Sequence, residues 1–143
     1  MAQENTILIV DDEPDIIEIL RYNLEKEGYK TYSATNGLDA VAKAESILPD
    51  LILLDVMLPD MDGIQTCETI RSKPELRDTL IAFLTARSED YSEIAGFQAG
   101  ADDYITKPIR PKVLISRIQS LLKRTRQQVD TKIISYNEIV LNK

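Results

Sequence analysis

The chain has 143 residues, 43% of them apolar and only five glycine, which is material for about one domain with its own core and too little for two. Its formal net charge of -7 argues against holding nucleic acid or an anionic membrane by bulk electrostatics. One cysteine excludes an internal disulfide and a cysteine-cluster metal site, and the absence of histidine excludes Ser-His and Cys-His nucleophiles, histidine-ligated zinc and phosphohistidine chemistry carried by this chain.

Thr6-Ile7-Leu8-Ile9-Val10 is a β-branched-rich run without polar alternation, the pattern of a strand buried on both faces of a parallel sheet. Pro14 then sits where helices accept a first-turn proline. Acidic Asp12, Glu13 and Asp15 suit a helix start, and Ile16, Ile17, Leu20 and Leu24 form an apolar stripe that Gly28 ends. Lys30 to Ala34 predicts a second strand. Asn36-Gly37 turns into a second helix whose Ala40, Val41, Ala44 and Leu48 are expected to face inward, and Pro49-Asp50 closes it. Leu51 to Leu54 is the third strand. The loop Asp55 to Gly63 leads to a helix over Ile64 to Arg71, in which Cys67, three residues from both Ile64 and Ile70, reads as packing. A strand ending at Thr85, a helix over Ser88 to Ala99 stopped by Gly100, a strand before Lys107 and a helix from about Pro111 to Arg126 follow. That last helix carries Leu114, Ile118, Leu121 and Leu122 inward. Five strand-helix alternations predict a parallel sheet covered on both faces, with right-handed crossovers.

Arg124 to Lys132 is polar and linker-like, and Ile133 to Leu141 reads as one or two strands with a turn around Asn137 that lack partners here. Such an ending suggests a larger protein cut just inside its next domain. No run approaches the roughly 20 apolar residues of a membrane span, and the start lacks the layout of a signal peptide, so a cytoplasmic location is expected.

Ligands of parallel sheets bind outside the carboxyl ends of the strands. Asp11-Asp12, Asp55, Thr85 and Lys107 each follow an apolar run and should converge there. Clustered Asp11, Asp12 and Asp55 would repel one another and raise a carboxyl pKa unless a cation neutralised them, and hard oxygen ligands favour Mg²⁺. Lys107 adds an ammonium and Thr85 a hydroxyl. Together they would surround a phosphoryl group during in-line transfer, with Asp55 as the nucleophile. Singly, each reads more plainly: an Asp or Thr after a strand caps a helix, and a Lys is a solvated charge. The joint placement carries the functional reading.

Asp11-Asp12, Asp55 with Met57-Leu58-Pro59-Asp60-Met61-Asp62-Gly63, Leu84-Thr85-Ala86, and Gly100-Ala101-Asp102-Asp103-Tyr104-Ile105-Thr106-Lys107-Pro108 resemble the receiver domain of bacterial two-component response regulators. The resemblance runs from about Thr6 to Arg126, with residues 1–126 as the receiver. It implies an α/β, flavodoxin-like (βα)5 doubly wound sheet of strand order 2-1-3-4-5. It also implies that Asp55 accepts a phosphoryl group from the phosphohistidine of a sensor histidine kinase. Asp12, Asp55 and the backbone carbonyl of Met57 would hold Mg²⁺, Asp11 acting through water. Lys107 would pair with phosphoryl oxygens, its following bond to Pro108 being cis. Thr85 and Tyr104 would be the switch pair, the hydroxyl drawn inward on phosphorylation and the ring turning in behind it. On this reading the chain is a self-catalysed phosphoacceptor, with slow autodephosphorylation, rather than an enzyme.

Ala101-Asp102-Asp103-Tyr104, Arg87 and the tail Ile134 to Leu141 look like the OmpR/PhoB subfamily, whose members follow the receiver with a small sheet and a DNA-binding winged helix. Residues 127–143 would then be a linker and the first strands of that effector, and DNA would be bound only through the part beyond this chain. Subfamily members dimerise through the fourth helix, fifth strand and fifth helix. Asp103 and Arg117 fit one charged pair of that homodimer. Glu93, Val113, Gln119 and Ile109 depart from the usual set, which leaves the dimer weaker, differently paired or absent. The alternative is a stand-alone phosphorelay receiver without DNA-binding output. A phosphatase of the haloacid dehalogenase type would need a second Asp where Met57 stands.

Overall fold

A computed structural model of the chain describes residues 5–86 and 99–123. Five parallel strands, β1 (Thr6–Val10), β2 (Lys30–Ala34), β3 (Leu51–Asp55), β4 (Leu80–Ala86) and β5 (Asp103–Lys107), form one sheet in the order 2-1-3-4-5. Helices α1 (Pro14–Lys26), α2 (Gly37–Ile47) and α3 (Gly63–Arg71) and a helix at 111–123 cover it. The expected fold class is the observed one.

The apolar runs explain the two-faced burial. Ile7 to Val10 and Leu51 to Leu54 are fully buried, and alternate residues of each strand enter different cores. Leu8, Val10, Ile52, Leu54, Ile81 and Phe83 pack with Ala40 and Ala44 of α2 and Cys67 and Ile70 of α3. On the other face, Ile7, Ile9, Leu51, Leu53 and Leu84 pack with Ile17, Leu20 and Leu24 of α1 and with Leu114, Ile118 and Leu121. Each such side chain removes apolar surface worth about 1.5–3 kcal/mol, before the opposing conformational entropy. The helix ends follow their sequence signals. Pro14 opens α1, Asn36 caps α2 by accepting the Asp39 N–H, Asp62 caps α3 through the Gln65 N–H, and Gly28 leaves α1 with φ 94°.

Two local expectations are corrected and one holds. Leu48 is 53% exposed, not inward: it is the C-cap of α2 with φ 54°, and the left-handed turn takes it off the helix phase. β4 runs one residue past Thr85, and a 3₁₀ turn at Pro74–Leu76 buries Leu76 between α3 and β4. Cys67 does pack: it is fully buried, and burial pushes its thiol up to about 11. Arg87, the predicted helix from Ser88 up to Ala99, Glu93, and the tail from Arg124 to Lys143 with its strands at Ile133 to Leu141 lie outside the described residues.

Candidate functional site

Sheet register builds the crevice. Val10 pairs with Leu54, so Asp11 follows at the level of Asp55; Asp55 pairs with Leu84, and Ala86 with Lys107. The carboxyl ends of β1, β3, β4 and β5 therefore deliver Asp11, Asp55, Thr85 and Lys107 to one place, with Asp12 one residue on. One carboxylate oxygen from each of Asp11, Asp12 and Asp55 lies within 4.8 Å of the others. Asp11 is fully buried, Asp55 is 4% exposed, and Asp12 is exposed, so the cluster has one face open to solvent.

Lys107 reaches into this cluster. Its Nζ lies 3.1 Å from Asp11 Oδ2, 3.3 Å from Asp55 Oδ2 and 3.8 Å from Glu13 Oε1. Burial works against its charge, but the fields of Asp55 and Asp11, with the hydrogen bond to Asp55, outweigh it and raise the Lys107 pKa. Asp55 is pushed up to about 6, chiefly by burial; the Met57 N–H opposes this, Asp11 adds to it, and Lys107 offsets part. The expected carboxyl repulsion is thus present but secondary to desolvation. Asp55 Oδ1 accepts the Met57 N–H at 3.1 Å, and Asp11 Oδ1 accepts the Glu13 N–H at 2.9 Å. Asp11 Oδ2, although ion-paired, accepts no hydrogen bond. A buried carboxylate oxygen without a hydrogen bond, beside two further carboxylates and an open face, suits a hard divalent cation that keeps some of its waters.

Thr85 and Tyr104 are both buried at 7% exposure. The Tyr104 ring packs against Phe83, the two centroids 5.5 Å apart. The Lys107-Pro108 bond is cis. Arg117 Nη1 lies 2.9 Å from Asp103 Oδ1 and 3.1 Å from Oδ2 within the same chain, tying the 111–123 helix to β5. Met57 presents a side chain that is 66% exposed.

Three contributors were not anticipated. Glu13 stands at the edge of the Lys107 ion-pair set. Asp60 accepts the N–H groups of Gly37 and Leu38. Arg71 donates to the carbonyls of Gly100 and Thr79 and pairs at 2.8 Å with Asp102, whose Oδ2 also accepts the Ile81 N–H. In the sequence, each looks like an ordinary charge at a helix end or turn. The one available signal was the Pro59-Asp60 turn, which marks a side chain free to bond a nearby helix start.

Among the described residues no helix is long and apolar enough to cross a membrane. A family profile described as "Response regulator receiver domain" matches residues 7–119. The chain is 44% identical over 119 residues to the alkaline phosphatase synthesis transcriptional regulatory protein PhoP of Bacillus subtilis (strain 168), covering 83% of this chain and 49% of that protein. It is 46% identical over 126 residues to the transcriptional regulatory protein ResD of the same organism, covering 88% and 51% respectively. The chain thus spans about half the length of these curated relatives. Among solved structures, a CheY-like response regulator receiver domain protein from Methanospirillum hungatei JF-1 is similar with a TM-score of 0.83 and 30% identity, over 88% of this chain and 99% of that one. With the strand order, the carboxylate cluster at the strand ends and these matches in hand, the chain belongs to the response regulator receiver domain family.

Proposed function

We propose that the domain takes a phosphoryl group on Asp55 from the phosphohistidine of a sensor histidine kinase, in the cytoplasm, and passes the signal to a transcriptional output of the OmpR/PhoB kind. The observation that carries this reading is the environment of Asp55: a nearly buried carboxylate at the end of β3, 3.3 Å from the Lys107 ammonium and grouped with Asp11 and Asp12. In the transfer, the P–O bond to Asp55 forms as the P–N bond to the donor imidazole breaks, and the electron pair stays on the imidazole nitrogen. On this reading Lys107 would swing from the carboxylates to the phosphoryl oxygens, and the Thr85 hydroxyl would donate a hydrogen bond to them. Asp12, Asp55 and the Met57 carbonyl would hold Mg²⁺, with Asp11 acting through water. Bound there, the ion supplies charge neutralisation for the incoming phosphoryl group.

On this reading the domain is a phosphoacceptor that catalyses its own modification, not a turnover enzyme. Phosphorylation adds about 1.5 to 2 negative charges, which hold Thr85 inward and Tyr104 behind it. Moving a 1:99 equilibrium to 99:1 takes about 5.5 kcal/mol of differential contact, within reach of a few charge-assisted hydrogen bonds. Support for a transcriptional output comes from the two Bacillus relatives, both transcriptional regulatory proteins about twice as long as the matched region. DNA binding would lie in an effector following the receiver. A homodimer through β5 and its flanking helices would have to re-pair Arg117, which Asp103 holds within the chain.

The test is incubation with a small phosphodonor and Mg²⁺, read by intact mass and light scattering, alongside Asp55→Asn. A phosphoryl-sized gain that the variant lacks supports the reading. No gain, where a control receiver is labelled, overturns it.

A further inference from the structure

We propose that Asp60, outside the carboxylate cluster, is a positioning residue that sets the divalent-metal affinity of the Asp55 site by pinning the β3–α3 loop to the start of α2. The inference rests on the reading of Asp55 given above. The loop at 56–62 carries Met57, whose N–H holds Asp55 Oδ1 and whose carbonyl is the proposed third ligand. Near Asp55 the loop backbone is held by Val56 N–H on Leu84 O at 3.3 Å, and at its far end by Gly63 N–H on Val56 O at 2.8 Å. Neither bond fixes the loop sideways.

Asp60 does. Its Oδ1 accepts the Gly37 N–H at 2.8 Å and its Oδ2 the Leu38 N–H at 3.0 Å. These are the first two N–H groups of α2, which have no partner within the helix, while the Asn36 side chain takes that of Asp39. The two bonds are charge-assisted and lie at the positive end of the helix. They hold the Asp60 carboxyl down at about 2, so the clamp stays charged at any physiological pH. Packing backs the clamp: a Cβ on Gly37 would come within 2.5 Å of Thr66 Oγ1 and 3.0 Å of the Met61 carbonyl oxygen. Glycine is needed there for close approach of α2 to the loop. Among the described residues, Asp60 is the loop residue whose side chain bonds an element other than α3.

Asp60 lies three positions after Met57. Releasing the clamp leaves the Met57 carbonyl to be ordered at the moment of metal binding, and the lost preorganisation weakens affinity without touching a ligand. The experiment compares Asp60→Ala and Asp60→Asn with Asp50→Ala in the 143-residue chain. Asp50 Oδ2 accepts the Thr6 N–H at 2.7 Å near the opposite, amino end of the sheet, so Asp50→Ala removes a similar carboxylate–backbone bond far from Asp55. Mg²⁺ alone is titrated by calorimetry, and labelling by a small phosphodonor is followed at each Mg²⁺ concentration.

Asp60→Ala is expected to raise the Mg²⁺ dissociation constant about threefold to tenfold, less than the roughly 10–100-fold seen for groups bonded directly to a metal ligand. Asp60→Asn, which keeps one acceptor, should fall between. Saturating Mg²⁺ should restore labelling close to the wild-type rate in both. Asp50→Ala should lower the melting temperature and leave the Mg²⁺ curve in place. Wild-type affinity in Asp60→Ala, or an equal shift in Asp50→Ala, overturns the inference. A wild-type chain that neither binds Mg²⁺ nor labels overturns the reading of Asp55 itself, before any variant is compared.

Discussion

Asp55 makes the domain less stable when it is ionised and unliganded, and removing its charge should therefore stabilise the protein. Its pKa stands near 6 against the usual 3.8, so the folded state binds this proton more tightly than the unfolded chain does. Between about pH 4 and pH 6 the unfolded state has already lost the proton that the folded state retains. Stability from this group is thus greatest below that window and falls as pH rises through it. At 1.36 kcal/mol per pH unit, a displacement of about two units corresponds to an upper limit near 3 kcal/mol. The Asp12 side of the cluster is open, and water and salt reduce the effect, so about 1–2 kcal/mol is expected.

The perturbation is Asp55→Asn, whose amide is nearly isosteric and keeps one acceptor oxygen, for the Met57 N–H, while its NH2 group replaces the oxygen that faces Lys107. Urea unfolding in chelator at pH 7.5 should show the variant more stable by about 1–2 kcal/mol, roughly 4–8 °C in melting temperature for a domain of this size. At pH 4.5 most of the difference should be gone. Adding Mg²⁺ at ten times its dissociation constant should then raise the wild type by about 1.4 kcal/mol, with little effect on the variant. A variant that is no more stable at pH 7.5, or a difference that does not change between pH 4.5 and 7.5, would refute the desolvation argument.

Lys107→Ala leaves Asp11 and Asp55 facing each other without their cation; in chelator it should lose about 1–3 kcal/mol, partly recovered by Mg²⁺ in the same urea assay, with slower labelling throughout. Arg71→Ala removes the ties to Gly100, Thr79 and Asp102 and leaves Asp102 without its ion-pair partner. A loss of about 2–3 kcal/mol in urea is expected, with phosphodonor labelling retained at low temperature. Gly63→Ala would set a Cβ within 2.2 Å of the Asp55 carbonyl oxygen, so the loop must move. It should cost more than about 2 kcal/mol by thermal unfolding and suppress labelling even in the folded fraction.

What could be read from the sequence was what strands and helix ends encode locally. Four polar residues after four apolar runs located the crevice, because in a parallel sheet the carboxyl ends of the strands share one edge and register does the rest. Asn36, Gly28 and Pro14 marked helix ends through conformational preferences that act over one or two residues. Leu48 failed for a local reason too, since a left-handed cap breaks the helical periodicity from which its burial was inferred. Asp60 bonded to α2, and Arg71 bonded to Asp102, are of another kind. Their partners lie 22–23 and 31 residues away, and no period or spacing rule reaches across a fold to find them.

These long-range polar contacts explain how the site tolerates its own chemistry. A buried Asp55 beside a buried Asp11 opposes stability, the kind of local conflict that folded sequences keep where function needs it. Lys107 offsets the conflict without removing it, because it shares one ammonium among Asp11, Asp55 and Glu13. The site therefore keeps a standing advantage for any species that brings more positive charge, or that converts Asp55 into a group needing Lys107 for itself. Holding that frustrated cluster in place falls to neighbours that bear none of the chemistry: the Asp60 clamp on the loop after Asp55, and the Arg71–Asp102 tie that joins α3 to the start of β4 and to the turn entering β5, the strand that carries Lys107.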